Sequence, residues 1–320
     1  MFRSSRGAFN GAPRLLTLLA LLLPPLLWAG NFIVGRGIRD DLPPGTLAFA
    51  RHLLALACLL PFCWRNLRKD AALFWQARHA LARTALCGMV LFNVLLYFGL
   101  QSTEANNAVL FNSAIPLLIG ALSLVLLRER LTLRQAAGLA VSTAGILTIV
   151  GRGDLQTLLH LRFSGGDLLV LAGVASFALY SIWLRDIPPA LNRLSVLCAQ
   201  IFIATVLMLP LALFELYSGK APAWSWSAGA AIAYVAVGSS IVATLLYASS
   251  VRAFGANRAG LCIHLVPVFG IVLSSVLLGE TVRPYHLQGT LLILAGLVIC
   301  TAKLPLQAVM KGLRRRPLEP

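Results

Sequence analysis

One charged side chain lies well inside an apolar stretch of this 320-residue sequence, and it is Arg51. A guanidinium at mid-membrane costs about 2.5–3.5 kcal/mol on insertion scales, so it must face a cavity or bond to polar groups. Its planar fork of donors matches a carboxylate, which favours amino acids or organic acids over cationic drugs as ligands. The competing reading is an arginine near the outer end of its helix that snorkels to the interface.

Uncharged polar groups surround that charge in the sequence. Asn31, Asn93, Asn106, Asn107 and Asn112 stand out in greasy segments. Amides can bond a substrate's amino or carboxyl group, and they can equally tie helix to helix. Trp28, Tyr97, Tyr180, Trp183 and Tyr247 are the aromatic candidates, set against core packing or an interfacial belt, the reading that fits Trp224 and Trp226. His264 titrates near neutrality and offers a proton carrier, or a neutral ring bonded to a carbonyl. Asn31, Arg51, Asn93, Tyr97, Asn112, Tyr180, Tyr247 and His264 form the predicted substrate-binding set. No Asp or Glu is expected deep in a span. The six cysteines form no CxxC pair and read as small packing residues, not as a metal site or a disulfide framework. No cofactor is expected.

The elements that carry these residues are membrane helices. The sequence is 58% hydrophobic and 12% charged, against about 45–50% and about 25% in soluble domains. The apolar residues run in long stretches, which selects a helical bundle over a β-barrel. The predicted spans are 15–35, 46–64, 84–103, 105–127, 134–151, 166–184, 194–217, 228–250, 256–278 and 285–302. Arg3, Arg6 and Arg14 before Leu15 resemble a secretion signal, but no clear cleavage site follows, so the first span is read as retained. The net charge of +16 then reads as helix flanks against anionic lipid rather than a nucleic-acid surface. With the N-terminus in the cytoplasm, 20 Lys and Arg face inward and 6 outward, Arg51 being the remainder. That asymmetry places both termini in the cytoplasm and residues 303–320 as a basic cytoplasmic tail.

The sequence also repeats itself. Shifting residues 105–145 by 151 positions gives 14 identities in 41, without a gap. Pro116 meets Pro267, Glu129 meets Glu280, Gly138 meets Gly289, and Gly145 meets Gly296. A shift of 150 pairs Tyr97 with Tyr247, and a shift of 149 pairs Arg36 with Arg185. Five spans is an odd number, so the second copy must cross the membrane in the opposite sense. The predicted fold is an all-α membrane protein of ten transmembrane helices, as two inverted five-helix repeats (15–151 and 166–302) around a central cavity. Pro116 and Pro267 are expected to kink their spans at matched depth. Glu129 and Glu280 are expected to tie the following turn to its helix.

The same residues carry a resemblance. Leu27-Trp28-Ala29-Gly30-Asn31-Phe32, Phe49-Ala50-Arg51-His52-Leu53-Leu54-Ala55, Ala105-Asn106-Asn107-Ala108 and Glu129-Arg130-Leu131-Thr132 resemble the EamA-type ten-span members of the drug/metabolite transporter superfamily. The resemblance covers residues 15–302. It implies a ten-helix fold with a central cavity in the inner (plasma) membrane, and export of amino acids, metabolites or drugs. One departure is Arg128, where a glycine often precedes the first glutamate; Gly279 keeps the pattern. The partners expected are a small-molecule substrate and the bilayer, with a homodimer left open. An intramembrane lipid-modifying enzyme would need clustered carboxylates or histidines, and Asp40-Asp41 is the sole acidic pair. A channel is the third class. No Walker A pattern is present for direct ATP coupling.

Overall fold

The computed structural model describes residues 14–103, 108, 111–154, 156, 164–219, 221–278 and 281–301. Asn106, Asn107, Glu280 and the 303–320 tail lie outside the described residues. The principal helices are α1 (Arg14–Gly37), α2 (Pro44–Lys69), α3 (Arg78–Ser102), α4 (Ile115–Leu127) and α5 (Leu133–Val150). They continue as α6 (Gly165–Trp183), α7 (Arg193–Tyr217), α8 (Trp226–Phe254), α9 (Leu265–Leu278) and α10 (Pro284–Thr301). Among the described residues, 7 helices are long and apolar enough to cross a membrane, and 3 shorter apolar helices accompany them. The protein is a multi-pass helical membrane protein.

Local chemistry sets the helix starts. Thr132 and Gln135 form a capping box that opens α5, and Ser164 with Asp167 does the same for α6. Asn192 Oδ1 accepts from the amides of Leu194 and Ser195 and opens α7. α2 begins with Pro44 at its first turn and is capped from outside. The cap is Glu215 of α7, whose carboxylate accepts from Gly45 N at 2.8 Å, Thr46 N at 2.6 Å and Thr46 Oγ1 at 2.9 Å. Asp167 and Glu215 are both buried; each sits at a helix end, not in mid-span, and is bonded to a helix N-terminus.

Two stretches depart from α-geometry in step. Leu86–Leu91 within α3 and Val235–Ala243 within α8 are π-helical, the second covering the first when it is shifted by 150. A π-turn releases carbonyls from the regular ladder. Here Asn93 Nδ2 donates to Met89 O at 2.7 Å, Ser176 Oγ to Cys87 O at 3.0 Å, and Thr244 Oγ1 to Ser239 O at 3.1 Å.

Pro116 is the second residue of α4 and Pro267 the third of α9. Each follows a break: a turn at 113–114, and a 3-10 segment Cys262–His264. Each stands in the first turn of the helix segment that follows, where the missing N–H costs nothing. Arg128 adopts φ 55°, the left-handed cap conformation that a glycine would take without strain. Glu129 differs from expectation. Its carboxylate accepts from Arg185 Nη1 at 3.0 Å rather than tying its own turn.

The helices pack in a defined set of neighbours: α2 on α7, α5 on α10, α3 on α6, α1 on α8, α4 on α6 and α1 on α9. α5 and α10 approach backbone to backbone. A Cβ on Gly138 would stand 2.6 Å from Gly296 O, and one on Gly145 would stand 2.5 Å from Gly289 O. Only glycine permits that distance.

Candidate functional site

The central feature is Arg51, 3% exposed at the second turn of α2. Its Nε donates to Ser240 Oγ at 2.9 Å and its Nη2 to Ser239 Oγ at 3.0 Å, both on the π-stretch of α8. Its Nη1 meets Asn31 Oδ1 at 3.1 Å, Asn93 Oδ1 at 3.0 Å and Tyr97 Oη. Tyr97 Oη in turn donates to Asn31 Oδ1 at 3.0 Å. Four predicted residues, Asn31, Arg51, Asn93 and Tyr97, thus form one cluster. It joins α1, α2, α3 and α8.

Every partner of the guanidinium is a neutral oxygen. Among the described residues no carboxylate pairs with Arg51. The neutral oxygens stabilise the cation without cancelling its charge, so the site carries a net positive field. Nη2 has two hydrogens and is given one acceptor.

Arg51 borders an internal cavity of about 30 Å³. Asn31, Asn93, Asn112 and Tyr180 of the predicted set also line it, opposite an apolar wall of Trp28, Met89, Phe92 and Phe177. Trp28 and Phe177 meet edge to face with centroids 5.5 Å apart, and Phe177 packs on Tyr180 at 5.3 Å. A Cβ on Gly88 would overlap the Tyr180 ring, so the π-stretch of α3 supplies the bed on which Tyr180 lies.

Two predicted residues stand elsewhere. Tyr247 lies behind Trp28, centroids 5.2 Å apart, with its hydroxyl on Ser181 Oγ at 2.7 Å. His264 bridges helices: its Nε2 donates to Ser113 O at 3.0 Å and its Nδ1 pairs with Ser142 Oγ at 2.7 Å. Neither borders the cavity.

Three residues at the site are additions to the predicted set. Ser239 and Ser240 hold the guanidinium, yet serine is too common in membrane helices to signal itself. The third is His52, fully buried and on the cavity wall beside Arg51. Its nearness in sequence to the mid-span Arg51 was the available signal.

A second, larger space lies at one end of the bundle. This cleft of about 1440 Å³ is lined by Arg130, Arg185, Arg193, Arg252 and Arg258, against Asp70 and Glu129. A small cavity of about 20 Å³ shares Thr244 with the central cavity and Leu245 and Arg252 with the cleft. At the opposite end of α2, Glu215 of α7 binds the helix N-terminus.

Comparison with other proteins adds to this geometry. The model of the EamA-like transporter family matches residues 15–151 and 164–302. A probable terminal-alkyne amino-acid exporter of Streptantibioticus cattleyicolor is 29% identical, over 88% of this chain and 91% of that protein. A probable amino-acid metabolite efflux pump of Salmonella typhimurium is 27% identical, over 87% and 92%. An uncharacterized transporter of Bacillus subtilis, YetK, is 26% identical, over 85% and 83%. A crystal structure at 18% identity superposes with a TM-score of 0.73, covering 91% of this chain and 98% of the other, which is a likeness of fold.

Proposed function

The chain belongs to the EamA-like transporter family, whose named relatives are transporters and not enzymes, and from that membership we propose that it exports small carboxylate-bearing metabolites by alternating access. The observation that carries the substrate side is the buried Arg51, held by neutral oxygens beside an aromatic wall. An uncompensated cation repels cationic drugs and attracts a carboxylate. The aromatic face takes an apolar side chain. Amino acids and organic acids combine both features. The names of the Streptantibioticus and Salmonella relatives point the same way.

Alternating access needs two states of similar energy, and ten spans in two inverted repeats supply them. The packing supports that reading. Exchanging helices one to five with six to ten turns α3-on-α6 into α8-on-α1, turns α4-on-α6 into α9-on-α1, and leaves α2-on-α7 and α5-on-α10 unchanged. The contacts of Gly138 with Gly296 and of Gly145 with Gly289 exchange the same way, because Gly138 aligns with Gly289 and Gly145 with Gly296. The contact of His264 with Ser113 joins positions 151 apart.

The arginine-lined cleft belongs to the cytoplasmic side by the distribution of basic residues, with both termini on that side of the inner membrane. This state is then open inward, as an exporter loading from the cytoplasm requires. Its basic mouth concentrates anions before they reach Arg51. The deciding experiment is flux in proteoliposomes against amino acids, organic acids and cationic drugs, with and without a pH gradient. Transport of the acids that is lost in Arg51→Gln supports the reading. Transport of cations by the wild type would overturn it.

A further inference from the structure

Two buried polar atoms on the cavity wall lack a hydrogen-bond partner among the described residues: His52 Nε2 and Tyr180 Oη. His52 is 0% exposed and Tyr180 is 1% exposed. A buried polar group left without a partner loses the hydrogen bonds it had in water, so such atoms in a native fold call for a ligand or an ordered water.

The histidine's role follows from its other nitrogen. His52 Nδ1 lies 2.7 Å from Ala48 O. A carbonyl only accepts, so Nδ1 carries the hydrogen. In the neutral ring Nε2 is then a bare lone pair, and it accepts only. Tyr180 Oη can give or take. The cavity therefore presents donors at Arg51 and an acceptor at the next residue along α2. Both residues line one cavity of about 30 Å³, so the groups that they read lie close together in one small molecule.

We infer, building on the carboxylate reading above, that His52 is a specificity-determining residue, and that the site takes acids bearing a hydrogen-bond donor on the carbon next to the carboxylate: α-amino or α-hydroxy acids with an apolar side chain. The carboxylate meets the open hydrogen of Arg51 Nη2 and the Tyr180 hydroxyl. The α-donor meets His52 Nε2. The side chain lies on Trp28 and Phe177. In this state the cavity has room for a water or two. A ligand with its own donor satisfies the lone pair of His52. A ligand without one leaves it bare.

Three probes separate these cases: L-phenylalanine, phenyllactate and hydrocinnamate. They share ring and carboxylate and differ in carrying an α-ammonium, an α-hydroxyl or no donor. Binding to the purified full chain is measured by calorimetry, and flux in proteoliposomes. The wild type should take the first two about tenfold more tightly than hydrocinnamate, or better, as sites built around a substrate donor do. His52→Leu should bring all three to the affinity of hydrocinnamate. His52→Gln, whose amide oxygen accepts, should restore part of the difference. If the wild type takes all three alike and Arg51→Gln loses all three, the carboxylate reading stands and the role of His52 is overturned. If none of the three binds, both fall. Should His52→Leu not fold, the wild-type comparison with His52→Gln still decides.

Discussion

At the scale of single residues, the site is a buried cation whose neighbours were chosen for their oxygens. Arg51→Gln removes the charge and strands acceptors on α1, α3 and α8. Proteoliposome flux should fall at least about tenfold while the protein still accumulates in the membrane, since the aromatic wall is untouched. Arg51→Lys should not rescue it, because one ammonium cannot reach the serines of α8 and the amides of α1 and α3 together. Tyr97→Phe deletes the hydroxyl that links Arg51 to Asn31. Losing its two bonds costs about 2 kcal/mol, so transport should weaken about thirtyfold. Much of this cluster was legible in the sequence, because a charge in an apolar stretch forces its own explanation. Asn31, Asn93 and Tyr97 were legible for the same reason. His264 and Tyr247 carry the same polar signature, but each had a nearer partner, Ser113 and Ser142 for one and Ser181 for the other. Sequence reports that a polar group needs a partner and is silent on which helix will supply it.

At the scale of elements, the prolines show what spacing alone leaves out. Pro116 and Pro267 align at one offset, as a repeat demands, and each stands in the first turn of a helix segment that follows a break. A span read as one apolar window hides the break within it. The π-stretches were invisible for a similar reason: Leu86–Leu91 and Val235–Ala243 have ordinary apolar composition. Close contact between elements yields firmer expectations. Gly145→Leu would drive a branched side chain into the α10 backbone at Gly289. Overpacking of this kind costs about 1–3 kcal/mol, read as a lower unfolding midpoint in detergent. Glu215→Gln removes the charge from the α2 N-terminus while keeping an acceptor. A loss of about 1 kcal/mol is expected on the same assay, since a charge at a helix N-terminus contributes about that much.

At the scale of the molecule, the expected orientation rests on the basic residues, because lysine and arginine are favoured on the cytoplasmic side. Reporter fusions after residues 40, 75, 190 and 219 should read outside, inside, inside and outside. A different pattern would remove the inverted repeat along with the orientation. Which state the protein occupies was not legible, since inward-open and outward-open forms share one sequence. In the inward-open reading, a cysteine placed at Ser249 on the cleft should react with membrane-impermeant thiol reagents applied from the cytoplasmic side, and one at Thr46 should resist them from outside. The stillness of Arg51 has an electrical consequence as well. Pinned by oxygens on three helices, its charge cannot withdraw when the pocket empties. An empty carrier then presents one unbalanced elementary charge to the membrane field, as does one holding a zwitterionic amino acid, whereas a carrier holding an anion such as phenyllactate presents none. A charge crossing the whole field exchanges about 2.3 kcal/mol per 100 mV. With an anionic acid, voltage would therefore act on the empty return and leave the loaded stroke alone, so that the resting potential sets how fast the protein resets and not how fast it delivers; with an amino acid it would act on both.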